Sequence, residues 1–205
     1  MEDHSDRVKF FMSEERKQWH NPETILKNVG VAKGMTMADL GSGPGFFTIP
    51  MAKATGEKGL VYAVDSNVSM LNALKENIAK SGVNSRIIEI INSDVSHTGI
   101  PKGSVDIVLF ANVLHEVEDR KAFFQEVRRI SKPTAYIIDV DWKKIKTEHG
   151  PPMKERLSEE EAKQVLLENG FSVIKQTDAG PYHYELTCKP TGIYELTGQI
   201  ENCLL

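Results

Sequence analysis

From residue 35 onward the chain alternates short, nearly continuous apolar runs with longer segments whose apolar residues recur every three or four positions. MTMADL (35–40), LVYAVD (60–65), RIIEII (86–91), VDIVLFAN (105–112) and AYIIDVD (135–141) are β-branched and almost uninterrupted in hydrophobicity. They end in polar or glycine-rich turns, as strands buried on both faces do. Segments 45–55, 67–81 and 119–131 carry helical spacing, with starts at Ser66-Asn67 and Glu118-Asp119 and stops at Gly56 and Gly82. Strand and helix in alternation predict an α/β fold, a parallel sheet with helices on both faces and right-handed crossovers. The pattern then changes. SEEEAKQVLLENGF (158–171) opens on a capping box of Ser158 and Glu161 and stops at Gly170. FSVIKQT and YHYELTCK follow with only DAGP between them, too short for a crossover, and so predict an antiparallel hairpin.

Residues 1–30 read as a helical lid before a core over 35–189, and 190–205 show no strong pattern. With no repeat and no low-complexity linker, a single domain over 1–205 is expected. At 205 residues and 40% hydrophobic, the chain is long enough for one well-buried domain. A formal charge of −4 gives no global field for gripping nucleic acid, so a nucleic-acid substrate would need a local basic patch. Cys188 and Cys203 suggest neither a disulfide framework nor a zinc site. The charged N-terminus does not resemble a signal peptide, and no apolar run approaches the ~20 residues that cross a bilayer. A soluble, cytoplasmic protein is expected, its oligomeric state open between monomer and homodimer.

The richest chemistry lies in MADLGSGPGFFTIP (37–50), where Gly41, Gly43 and Gly45 alternate between a strand and a helix. A P-loop would need a lysine after the last glycine, and none follows. A dinucleotide fingerprint needs a third small residue for close helix–strand packing, and Phe46 stands there instead. The loop amides converge near a helix N-terminus, which suits a carboxylate, while Asp39 could accept from an ammonium group. Asp65, ending the second strand, can accept from both hydroxyls of a ribose, and Asp94 in NSDV could accept from an exocyclic amino group such as adenine N6. An amino acid, a ribose and an adenine in that order describe S-adenosylmethionine.

ADLGSGPGFFT, VYAVDSN, NSDVSHTGIPKGSVDIVLFANVLHEVED and RRISKPTAYIIDVDW resemble the successive motifs of class I S-adenosylmethionine-dependent methyltransferases. The nearest flavour is the small-molecule group that includes ubiquinone- and menaquinone-biosynthesis-type enzymes. The resemblance spans 35–141 strongly and the late helix and hairpin more loosely. It implies a Rossmann-like seven-stranded, mostly parallel sheet of order 3-2-1-4-5-7-6, strand 7 antiparallel. It also implies that Asp39, Gly41, Ser42, Gly43 and Gly45 surround the methionine part of the donor. Asp65 with Ser66 would hold the ribose, Asp94 and Val95 flank the adenine, and Asn112 line the methyl-donor pocket. A nicotinamide-dependent oxidoreductase and a non-catalytic S-adenosylmethionine-binding accessory protein are the rival readings.

Methyl transfer is an in-line displacement that needs alignment and exclusion of water, with one base where the nucleophile carries a proton. Ligands of open α/β sheets sit beyond the carboxyl ends of the strands. That edge collects His115, Glu116, Asp141, Trp142, Tyr182 and His183, with Trp19 and His20 from the lid. His115 is the base candidate, since an imidazole takes up a proton near neutrality; packing against the cofactor is its other reading. Trp142 and Tyr182 could wall the acceptor or serve as ordinary rim aromatics. WKKIK reads as a solvated basic loop rather than an anion clamp, EHGPPMKER as a mobile connection, and Arg156 as a surface residue whose other reading is to reach a carboxylate on the substrate. Asp139 and Asp141 share a strand face, but Asn112 stands where a magnesium-dependent relative has a carboxylate, so no metal is expected. Two cysteines are too few for arsenite methylation, and ANVLH in place of Asn-Pro-Pro-Tyr disfavours an amide or base nitrogen as acceptor.

Overall fold

The computed structural model describes residues 4–191. Three short helices come first, α1 (His4–Phe11), α2 (Glu14–Trp19) and α3 (Pro22–Val29). Then follow β1 (Thr36–Leu40), α4 (Thr48–Thr55), β2 (Leu60–Asp65), α5 (Val68–Ser81), β3 (Ile88–Asn92), β4 (Val105–Ala111), α6 (Arg120–Ile130), β5 (Ser131–Trp142), α7 (Glu159–Glu168), β6 (Phe171–Asp178) and β7 (His183–Pro190). The seven strands form one sheet of order 3-2-1-4-5-7-6. The pairs among β1 to β5 are parallel, and β7 runs antiparallel to both β5 and β6, as the short DAGP connection requires. The sheet expected from the sequence is the sheet found.

Alternate residues of each central strand feed two separate cores, because successive side chains point to opposite faces. Val108 and Phe110 of β4 join Phe123 and Phe124 of α6, Leu166 of α7 and Tyr184 of β7. Ile107 and Leu109 of the same strand join Leu26 of α3, Met51 of α4 and Leu74 of α5. With both faces covered, the strands must be apolar throughout, which explains their unbroken runs. Each fully buried aliphatic or aromatic side chain stabilises by about 1.5–3 kcal/mol over its exposed state.

The helix starts follow the predicted chemistry. Asn67 accepts from the amides of Ser69 and Met70, Asp119 accepts from Ala122, and Ser158 with Glu161 closes a reciprocal capping box. Some boundaries differ from the sequence pattern. The first crossover helix begins at Thr48 rather than 45, because Gly45 at φ +100° cannot enter a right-handed helix. The third strand begins at Ile88 rather than 86, because Asn84 caps the amide of Arg86 and starts a single 3₁₀ turn, Ser85–Ile87. β5 begins at Ser131, directly after α6, and skips register between the Val105–Ser131 and Ile107–Tyr136 pairs.

The topology places the ends of β1 to β6 and the start of β7 on one edge. Residues 41–47, 65–67, 92–95, 112–116 and 141–143 therefore meet the turn at 178–183 there. The predicted helical segment at 1–30 is three helices from His4, and α2 reaches this edge. Most of the unassigned tail, 192–205, including Cys203, lies outside the described residues. No helix among the described residues is long and apolar enough to cross a membrane.

Candidate functional site

The glycine loop is tied down at its start and open at its middle. The amides of Gly41 and Ser42 both donate to the Val64 carbonyl, at 2.8 and 2.9 Å, locking the end of β1 to β2. A side chain at Gly41 would strike Val113, and one at Gly45 would come within 2.5 Å of Leu74, whereas one at Gly43 would meet nothing. Gly43 thus presents bare backbone to open space. Its amide donates to Asp65 Oδ2 at 2.8 Å, while Asp65 Oδ1 accepts from the Asn67 amide at 2.8 Å. Asp65 therefore braces the loop as well as standing at the expected ribose position. Each carboxylate oxygen keeps a second lone pair for a ligand hydroxyl.

Asp39 lies beneath the loop at 2% exposure, accepting from Thr48 Oγ1 at 2.5 Å. Burial raises its carboxyl to about 7, against the lowering by the Thr48 hydrogen bond; Asp65 raises it further and Arg16 opposes. Asp39 thus takes a protein donor on Oδ2 and supports the loop from below. Ser66 is exposed, and its carbonyl accepts from Asn92 Nδ2 at 3.1 Å. Asp94 is exposed with Oδ1 accepting from the Ser96 amide, and Val95 beside it is half-buried.

Asn112 adopts φ +60°, a left-handed conformation that asparagine tolerates, and its amide donates to Val140 at 2.8 Å. Its Oδ1 and the hydroxyl of Ser42 are buried and have no partner among the described residues. Buried polar atoms are rarely left so, and their presence here marks unfilled binding capacity. A loop without lysine or arginine, an open backbone at Gly43, a carboxylate at the next strand end and two unpartnered oxygens fit an adenosyl amino acid better than a diphosphate.

Beyond this cleft, His115 Nδ1 lies 2.7 Å from Asp141 Oδ1, and the His115 amide donates to Asp141 Oδ2 at 3.3 Å. The Trp142 amide donates to Asp141 Oδ1 at 2.7 Å, so the carboxylate is fixed from both strands. A carboxylate only accepts, so Nδ1 carries the proton and Nε2 is left as the basic nitrogen. Burial pulls the imidazole down, but the hydrogen bond and charge of Asp141, with Glu116 and Glu155, outweigh it and hold His115 above its ordinary value. Glu116 is exposed, with its carboxylate 3.7 Å from Nε2.

The remaining sequence-predicted pocket residues form one aromatic cluster. Trp19 of α2 stands edge-on to Trp142 and Tyr182, at 5.8 and 5.6 Å between centroids. His20 and His183 lie 4.1 Å apart, and Trp142 lies 4.1 Å from His183 on the sheet side. Any side chain at Gly180 would collide with the Trp19 carbonyl, so the hairpin turn and α2 meet in a contact only glycine allows.

Two buried arginines stand beside the site, and one of them corrects an expectation from the sequence. Arg156 is buried rather than on the surface. It donates to the carbonyls of Lys143, Ile145, His149 and Pro151 and to Thr147 Oγ1, and it stacks on Trp142 at 4.9 Å. The connection read as mobile is thus gathered around one guanidinium. Arg16, hidden in the charged run EERK, is also buried; it lies 4.4 Å over the Phe46 ring and donates to the Phe11 carbonyl. Burial lowers its guanidinium to about 10 although Asp39 pulls it up. No motif signals either residue. Asp139 is fully buried on β5 with no partner for either oxygen among the described residues, and burial with the neighbouring Asp141 raises its carboxyl well above the usual range.

Comparison with known proteins agrees with this geometry. Residues 38–139 match the family model described as a methyltransferase domain. The solved structure of a SAM-dependent methyltransferase from Aquifex aeolicus is 32% identical, covers 93% of this chain and 100% of its own, and superimposes with a TM-score of 0.85. A demethylmenaquinone methyltransferase from Staphylococcus aureus is 29% identical over 134 residues, 65% of this chain and 53% of that enzyme. The chain thus spans about half the length of the curated relatives it matches. A protein from Pyrococcus horikoshii, 19% identical with a TM-score of 0.71 and covering 88% of this chain and 93% of its own, shares the fold.

Proposed function

This chain belongs to the S-adenosylmethionine-dependent methyltransferases, and on that premise we propose that it moves a methyl group from S-adenosylmethionine to a small-molecule acceptor whose proton passes to His115. The observation that carries the reading is the 2.7 Å His115–Asp141 pair, beside a glycine loop braced by Asp65. When bound, the donor supplies a methyl group on a sulfonium sulfur. Gly43 and Ser42 would hold its amino-acid end, Asp65 its ribose hydroxyls, and Asp94 with Val95 its adenine. Asn112 lines the space between donor and base.

His115 Nε2 would accept the acceptor's proton, leaving on the acceptor the electron pair with which it takes up the methyl group. Asp141 fixes the tautomer and stabilises the imidazolium that results. The helices α1 and α2 act as a lid, and the aromatic cluster under them keeps water from the reacting centre. The Staphylococcus relative is named for a quinone-type acceptor, which supports a small, planar acceptor for this chain as well. The nicotinamide reading lacks its third small residue, because Phe46 is buried against Phe47 and His20. The ordered base pair argues against an inert accessory protein.

Calorimetry with S-adenosylmethionine and S-adenosylhomocysteine tests the donor site, and binding of both is expected. A discontinuous assay for S-adenosylhomocysteine release across phenolic and quinol acceptors tests turnover. Absence of binding to either nucleoside would remove the proposal.

A further inference from the structure

Two imidazoles are enclosed where α2 meets the sheet. His20 is 1% exposed and His183 is fully buried, and none of their four ring nitrogens has a hydrogen-bond partner among the described residues. One unsatisfied buried donor or acceptor costs about 1–3 kcal/mol, so four in one place are an expensive arrangement unless a ligand satisfies them.

Their position is specific. His20 packs on Phe46 and Phe47, the residues that leave the glycine loop, at 5.2 and 5.9 Å between centroids. His183 pairs across the sheet with Trp142, the residue that follows Asp141. The two rings therefore bridge the donor loop and the base dyad. Trp142 lies against His183, and Trp19 stands edge-on to both Trp142 and Tyr182 beside them.

The protonation state of the rings decides what the pair can hold. Burial is the main reason His183 falls to about 3, and Arg16, Arg156, His115 when protonated and Lys143 lower it further. His20 is lowered by burial first, then by His183 and Arg16. Both rings are neutral, each with one N–H donor and one acceptor nitrogen. Their N–H groups suit an oxygen that carries negative charge, and no third metal-ligating side chain joins the pair among the described residues.

We propose that His20 and His183 form an acceptor-recognition subsite, donating ring N–H groups to the oxygen of a planar phenol or enol that becomes anionic as its proton leaves. This rests on the methyl-transfer reading above. Whether the methyl group goes to that oxygen or to a conjugated ring carbon, the oxygen carries the charge that the subsite holds. His20 belongs to the N-terminal helices and His183 to the sheet, so parting of α2 from the sheet admits the acceptor and its return encloses it.

The test uses the full chain saturated with S-adenosylhomocysteine and two probes, 4-nitrophenol and nitrobenzene, which share a ring and differ by the hydroxyl. The protein's only two tryptophans, Trp19 and Trp142, line this subsite, so their fluorescence reports occupancy. 4-Nitrophenol is expected to bind at least about tenfold more tightly than nitrobenzene, one good hydrogen bond's difference. It is also expected to show phenolate absorption at a pH where the free phenol is protonated. The double substitution His20→Phe, His183→Phe should erase the preference while S-adenosylhomocysteine affinity, which also reports folding, is unchanged; His183→Asn, retaining an N–H donor, should recover part of it. Equal binding of the two probes, binding of neither, or a preference that survives the double substitution overturns the subsite, and the wild-type comparison decides even if the variant fails to fold. Failure of S-adenosylhomocysteine to bind the unsubstituted protein overturns the methyl-transfer reading, and this inference with it.

Discussion

His115 and Asp141 belong to different strand ends, yet their side chains meet at 2.7 Å because β4 and β5 are hydrogen-bonded neighbours. The carboxylate also receives the amides of His115 and Trp142, so the imidazole is oriented before any ligand arrives. That is the arrangement a proton acceptor needs, and it sets the first prediction.

His115 acts when neutral and its pKa is held above the ordinary imidazole value, so turnover should rise with pH through a limb above about 6.5. Asp141→Asn removes the largest of the influences that raise it and leaves the burial that lowers it, so the limb should move to the acid side. His115→Ala should cut kcat by about 10²- to 10⁴-fold, the usual worth of a positioned base. Rate–pH profiles of the three proteins check this; an unmoved limb in Asp141→Asn would exclude the dyad as its source.

Asp65 accepts from Gly43 and Asn67 and stands at the ribose position. Asp65→Ala should weaken S-adenosylmethionine binding by about 10- to 100-fold, with about 1 kcal/mol lost from stability. Asp65→Asn should help little, because an amide N–H in place of one oxygen faces a backbone donor. Calorimetry beside thermal melting separates the two effects, and unchanged affinity would refute the assignment.

Gly43 and Gly45 both have positive φ, but only Gly45 has a neighbour, Leu74, within 2.5 Å of where a side chain would begin. Gly45→Ala should therefore lower stability by more than the 1–2 kcal/mol of about one left-handed residue. Gly43→Ala should cost only that backbone term while obstructing the donor. The expected pattern is a large melting shift in one variant and a large affinity loss in the other. Equal behaviour would contradict the open face at Gly43.

Asp39 has a carboxyl raised by burial to about 7 from an unfolded value of 3.8. Between these pH values the folded protein binds a proton that the unfolded chain does not, so stability falls as pH rises from about 4 to 7. Asp39→Asn keeps an oxygen for Thr48 and removes the charge. It should abolish that slope and gain up to a few kcal/mol at pH 8 in the ligand-free protein. Urea unfolding at pH 5 and pH 8 checks the sign.

Parts of the site were legible in the chain. The loop glycines, Asp65 and Asp94 sit in runs whose spacing fixes them to strand ends, and the carboxyl edge of a parallel sheet gathers such ends. His115 and Asp141 could be placed on that edge, but their contact depends on which strands are neighbours. Arg16 and Arg156 were not legible, because a charged residue in a polar segment looks alike whether it faces water or closes over an aromatic ring. Arg156 is buried only because the chain from 143 to 156 turns five acceptors toward it, an arrangement no local pattern encodes.

Periodicity determined the strands, the helices and their alternation, because a side chain's face follows from its position along the backbone, and the short DAGP connection determined the final hairpin. The three-dimensional fold decided the pairings: Asp141 with His115, Asp65 with the Gly43 amide, and the two imidazoles left unpartnered between lid and sheet. Those depend on distances between segments remote in sequence, which only packing sets.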